Sequence, residues 1–130
     1  MDKDEPRRPV HWVGSSLEDL KACPEDVKDE VGHALYVAQV GEKHESAKPL
    51  KGFGGAGVLE VVTNEAGSTY RAVYTVKFPE AIYVLHVFQK KSKQGIQSPK
   101  EEIDLVKRRL RAATEDHEQR YGGKSHGRET

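Results

Sequence analysis

The sequence predicts an α+β fold: an N-terminal αα-hairpin packed on a small antiparallel β-meander sheet, closed by a C-terminal helix. Three observations predict it. Residues 25–40 place Val27, Val31, Ala34, Leu35 and Ala38 at the spacing of one helical face. Three β-rich runs, 58–63, 69–77 and 82–88, are separated only by the short polar stretches 64–68 and Pro79-Glu80, so consecutive strands must turn straight back. Finally, Ser98-Pro99 opens a run in which Ile103, Val106, Leu110 and Ala113 form an apolar helical stripe. A chain of 130 residues is long enough for one domain with one core.

Each element follows from local chemistry. Residues 1–9 are charged, contain Pro6 and Pro9, and read as a flexible tail. Residues 10–13 (VHWV) form a short strand candidate. Ser15 or Ser16 suits the N-cap of a first helix, with Glu18 and Asp19 in its first turn, where the helix dipole favours negative charge. Pro24 ends that helix and opens the next, which Gly41 stops. Residues 42–57 are polar and hold glycines at 52, 54, 55 and 57, the composition of a loop. Ser98 caps the last helix, and Glu101 three residues on completes a capping box. Leu105 widens its stripe, while Lys107, Arg108, Arg109 and Arg111 lie mostly opposite. The single domain is therefore expected over 10–121, with a second flexible tail over 122–130.

Net charge is +0, from 21 basic and 21 acidic residues, so nothing global points to nucleic acid. The distribution is uneven. Residues 15–46 hold eight acidic residues against three lysines, and residues 69–111 hold ten basic residues against four acidic ones. Such asymmetry suits an anionic partner for one part of the surface. One cysteine, Cys23, allows no intrachain disulfide and fits a reducing cytoplasmic setting, as a small core or helix-end residue. No apolar run approaches the ~20 residues of a bilayer span, and the N-terminal residues lack the apolar core of a signal peptide.

Residues 83–99, YVLHVFQKKSKQGIQSP, concentrate the functional signal. A buried-strand composition gives way abruptly to Gln89, Lys90, Lys91, Ser92 and Lys93, and Gly95 breaks the run. A central strand thus delivers three lysines to one rim of a sheet, where their mutual repulsion is best relieved by a polyanion. The bland alternative is a solvated basic turn that blunts a sheet edge.

In this order the segments resemble the phage-derived, HigB-like branch of the RelE/ParE toxin superfamily. KPLKGFGGAGVLEVV resembles that branch's Pro-Leu-Lys-Gly loop and the strand after it, here carrying Glu60. TYRAVYTV resembles its Tyr-Arg-x-Val-Tyr strand, YVLHVFQKKSKQ its apolar strand ending in Phe-x-Lys-Lys, and SPKEEIDLVKRRL its closing helix. The resemblance runs from about His11 to about Arg111. It implies a RelE-like fold and the toxin of a type II toxin–antitoxin pair. It further implies a cytoplasmic endoribonuclease that cleaves messenger RNA on the ribosome and is neutralised by a small helix-turn-helix antitoxin. ParE-like relatives instead act on gyrase without cutting RNA, and an inactive antitoxin-binding module is a third possibility.

A metal-independent RNase must deprotonate the ribose 2′-hydroxyl, hold charge on the phosphorane and protonate the leaving 5′-oxygen. Arg71, with its planar always-charged fork, suits the phosphate; the alternative is an ordinary ion pair with Glu60 on the neighbouring strand. Glu60 is the candidate base and Lys90 the candidate proton donor, with Lys51, Lys91, Lys93 and Tyr74 as RNA-binding candidates; Tyr74 more often serves as a core or rim aromatic, and Lys51 reads equally as a loop lysine with no partner. Some relatives carry two lysines on the first meander strand, whereas VLEVVT offers only Glu60. His86 alternates with Val84 and Phe88 and reads as a packed core histidine. His11, His33 and His44 have no metal-ligand spacing, so neither metal nor cofactor is expected.

Overall fold

The computed structural model describes residues 7–55, 57–90 and 99–122. Eight elements run in the order β1 (Val10–Trp12), α1 (Ser16–Lys21), α2 (Glu25–Gln39), β2 (Ala47–Pro49), β3 (Val58–Glu65), β4 (Ser68–Thr75), β5 (Ile82–Lys90) and α3 (Lys100–His117), and a π-helical turn, Glu118–Gly122, ends the described chain. The fold is α+β, as expected, but the sheet is larger than the meander. Its five strands lie in the order β1-β5-β4-β3-β2. The meander β3-β4-β5 is antiparallel, β2 adds to it antiparallel through β3, and β1 pairs with β5 in parallel.

Both extra strands sit at sheet edges. β2 lies inside the stretch expected to be loop, and its Pro49 is tolerated because an edge strand needs to donate on one side only. β1 can run parallel to β5 because the hairpin and the meander intervene between them and supply the crossover. The β3–β4 turn is tight: Ala66 and Gly67 have φ of 52° and 84°, the two positive angles of a hairpin turn of the primed type.

The sheet separates two apolar clusters. On one face Val27, Val31, Ala34, Leu35 and Ala38 of α2 pack with Leu59, Val61, Ala72, Tyr74, Val84 and Val87. On the other, Val106 and Ala113 of α3 pack with Val58, Val73, Tyr83 and Leu85, while Ile103 and Leu110 close the seam. The stripe positions read from the sequence are therefore the buried ones.

Several local expectations change. Within the stretch expected to be a tail, Arg8 is bonded to the body of the fold. Its guanidinium donates to Phe78 O at 2.9 Å, Val76 O at 3.4 Å and Ala38 O at 2.9 Å, and its backbone exchanges bonds with Gln39 at 3.1 and 2.6 Å. Neither serine caps α1 through its side chain: Ser15 bonds Asp19 at 2.8 Å and buried Ser16 bonds Val84 O at 3.3 Å. Pro99 occupies the N-cap position of α3, and the Ser98 cap lies outside the described residues. Arg109, expected on the solvent side, reaches Leu85 O at 3.0 Å and Ser15 Oγ at 3.4 Å.

The C-terminal end of α3 is pinned by polar and aromatic contacts rather than aliphatic burial. Asp116 accepts from the Tyr83 hydroxyl and from Arg120 Nε, both at 2.6 Å. His117 stacks on Phe78, with centroids 4.3 Å apart, and bonds Glu80 at 2.5 Å, while Tyr121 meets His11 at 2.9 Å. The Tyr83 bond is the main reason the Asp116 carboxyl is held below its ordinary range, with Arg120 adding to it.

Candidate functional site

The face of the sheet toward α3 carries a polar patch beyond the apolar seam. Strand register lays it out in rows. Lys48, Glu60, Val73 and His86 lie side by side across β2, β3, β4 and β5. The next row is Val62, Arg71 and Phe88, and the next Asn64, Thr69 and Lys90. Residues directly opposite share a face, as do residues two apart on one strand. Arg71, Glu60 and Lys90 thus belong to one side of the sheet.

Arg71 is 4 % exposed, and its Nη1 donates to Glu60 Oε1 at 2.9 Å, a diagonal cross-strand pair. The ion pair offered as the alternative reading of Arg71 is therefore present. Breaking such a pair is costly, because the guanidinium cannot neutralise itself by losing a proton. The pairing also sets a carboxylate and a fixed positive charge within one hydrogen bond of each other, and Glu60 keeps partial contact with solvent.

Lys90 is the last residue of β5, half-buried and opposite Thr69, rather than a residue beyond the strand. Lys91 and Lys93 lie outside the described residues. Lys51 is not brought to this rim. Leu50 N bonds Val58 O at 2.9 Å, at the Thr75 end of β4, so Lys51 leaves the sheet at the end opposite Lys90. The strand inserted at Ala47–Pro49 is the cause, since it carries the loop past that end. Tyr74 is also removed from the patch. It is 1 % exposed in the cluster under α2, and burial pushes its hydroxyl up to about 12. Alternation forces this, because Tyr74 stands three residues from Arg71 and takes the opposite face.

Sequence reasoning missed the setting of His86. The ladder pairs Val73 with His86 but Tyr74 with Val84, so β5 carries one extra residue, Leu85. The bulge turns Leu85 and His86 to the α3 side together. His86 is buried, stacks on Phe88 with centroids 4.6 Å apart, and meets Glu102 of α3 through Nε2 at 2.5 Å. No residue pattern in the strand announces a bulge; the only signal is a helix carboxylate, Glu102, facing a strand histidine. Among the described residues, no three His, Cys, Asp or Glu side chains are placed to hold a metal ion.

Comparison with known proteins bears on this arrangement. Residues 18–111 match the family model of phage-derived Gp49-like proteins. The chain belongs to the Gp49-like family. Its fold is similar to that of Escherichia coli toxin RelE, solved in the free state as a double arginine-to-alanine mutant. That chain is 16 % identical over 68 % of this chain and 87 % of its own, with a TM-score of 0.50. The toxin–antitoxin complex RelBE2 of Mycobacterium tuberculosis also matches, 19 % identical over 68 % of this chain and 98 % of the other, with a TM-score of 0.44. No functionally curated protein sequence matches at a significant level. The expected RelE-like fold and the phage-derived character of the resemblance are both borne out. Among its described residues, no helix is long and apolar enough to cross a membrane.

Proposed function

We propose that this Gp49-like protein is the toxin of a type II toxin–antitoxin pair, a cytoplasmic, ribosome-dependent endoribonuclease that cuts messenger RNA without a metal. The observation that carries the reading is that Glu60, Arg71 and Lys90 stand on one face of the sheet in three successive rows, with Arg71 between the other two. Fixed positive charge beside a carboxylate is what a phosphodiester cleavage by an internal 2′-oxygen requires.

In this reading the scissile phosphate is held by Arg71, which stabilises the charge gathering on the phosphorane. The 2′-oxygen attacks phosphorus as its proton passes to Glu60. The P–O5′ bond breaks, and the leaving 5′-oxygen takes a proton from Lys90. The products are a 2′,3′-cyclic phosphate and a 5′-hydroxyl. Lys91 and Lys93 add electrostatic attraction for neighbouring phosphates. The natural antagonist is a small helix-turn-helix antitoxin.

Expression without an antitoxin, followed by mapping of transcript 5′ ends, tests the reading. Growth arrest with new 5′-hydroxyl ends, lost in Arg71→Ala and Lys90→Ala, is expected. Arrest with intact messenger RNA would favour a gyrase-directed inhibitor on the same scaffold, and no growth effect would leave an inactive antitoxin-binding module.

A further inference from the structure

Beside the patch, β5 runs past the end of β1 and opens a cleft of about 320 Å³. It is lined by Asp19 and Cys23 of the α1–α2 corner, by Glu102 of α3, and by Tyr70 on one face of the sheet and His86 and Phe88 on the other. We infer that this cleft receives one base of the RNA substrate, and that the base is guanine. The inference rests on the nuclease reading and gives that site its specificity.

Location is the first argument. Phe88 is the direct cross-strand neighbour of Arg71, and adjacent strands are about 4.8 Å apart. A phosphate at Arg71 therefore sets an attached nucleoside beside Phe88 and the cleft.

Shape and surface are the second. Phe88 is half-buried, is backed on one side by the near-parallel His86 ring at an interplanar angle of 20°, and borders the cleft. A backed aromatic ring with an open neighbour is a stacking platform for a flat heterocycle.

Polarity is the third, and it selects the base. Glu102 meets His86 Nε2 through Oε1, and His86 Nδ1 is buried without a hydrogen-bond partner among the described residues. Asp19 uses Oδ2 for Ser15. The Gln89 amide nitrogen is given to Ser68 at 2.9 Å, leaving its carbonyl oxygen. The cleft thus offers the second oxygens of Glu102 and Asp19 as acceptors at its lining, with the Gln89 carbonyl on the opposite side of β5. Guanine alone among the four bases presents two adjacent N–H donors, N1–H and the 2-amino group, on its pairing edge. Adenine and cytosine pair one amino group with an acceptor, and uracil flanks its single N–H with two carbonyls.

The test is a titration of the full-length, isotope-labelled protein with guanosine, adenosine, cytidine and uridine 5′-monophosphates, followed by amide NMR. Guanosine monophosphate should move the signals of Cys23, Tyr70, Phe88 and Gln89 and bind about tenfold more tightly than the others, the scale of a bidentate side-chain–base pair. Glu102→Gln keeps the acceptor toward His86 but replaces the other oxygen with a donor, and should erase the preference. Phe88→Leu should weaken all four nucleotides together. Equal shifts for all four nucleotides, shifts elsewhere, or a preference unchanged in Glu102→Gln would overturn the inference. The nuclease reading stands or falls separately, on whether transcripts are cut in an Arg71-dependent manner.

Discussion

Replacing Arg8 with methionine keeps most of the aliphatic stem and removes the guanidinium. Three backbone carbonyls then lose a charged donor: Phe78 O, Val76 O and Ala38 O. Two of those bonds are 2.9 Å long, while the 3.4 Å contact to Val76 is near the geometric limit and contributes little. A hydrogen bond from a charged group is worth ~1.5–3 kcal/mol, but Arg8 is only half-buried, and water can reach part of what it leaves. The lower end of that range for two bonds gives a loss of about 2–3 kcal/mol. For a domain of this size that is a fall in Tm of roughly 8–15 °C. Thermal and urea melts followed by circular dichroism measure it, with an unchanged urea m-value expected. A loss under about 0.5 kcal/mol, the scatter of ordinary surface substitutions, would refute the claim that Arg8 clasps α2 to the β4–β5 turn.

Three further perturbations have defined outcomes. Tyr74→Phe removes a buried hydroxyl that has no hydrogen-bond partner among the described residues, so stability should hold or rise by up to ~1 kcal/mol in a urea melt. Ala66 occupies a positive-φ turn position, and Ala66→Asn should raise stability by about 0.5–1 kcal/mol in the same assay. The Asp116 carboxyl is held down by Tyr83 and Arg120, so its contribution is complete above the unfolded value of 3.8 and is lost as pH falls through the lower folded value. Thermal melts should therefore show Asp116→Asn less stable than the parent near neutrality, with the gap closing below about pH 4.

The meander and the helix stripes were legible because each buries one face and so writes its period into the residues. Val27 to Ala38 and Ile103 to Ala113 were placed correctly for that reason. β1 and β2 were not fully legible, because three residues carry no period and only the pairing with β5 and β3 makes them strands. The partnership of Arg71 and Glu60 could be read, since two neighbouring strands of a meander set their charged residues near each other. Tyr74 was legible as a core aromatic, because alternation along β4 sets it on the face opposite Arg71, and an RNA contact there is closed off by α2. His86 was hidden by the Leu85 bulge, an insertion into the ladder that preserves composition while shifting every later residue by one.

The most direct test of the central claim is a reconstituted one. Purified ribosomes carrying a defined messenger RNA are incubated with the protein, and the chemistry of the new ends is read. Cleavage leaving 2′,3′-cyclic phosphate, proceeding in the presence of a metal chelator that spares the ribosome, and falling at least about a hundredfold in Arg71→Ala is the predicted result, the scale of one lost charge-stabilising group. Intact messenger RNA, or cleavage by Arg71→Ala at the parent rate, would contradict it.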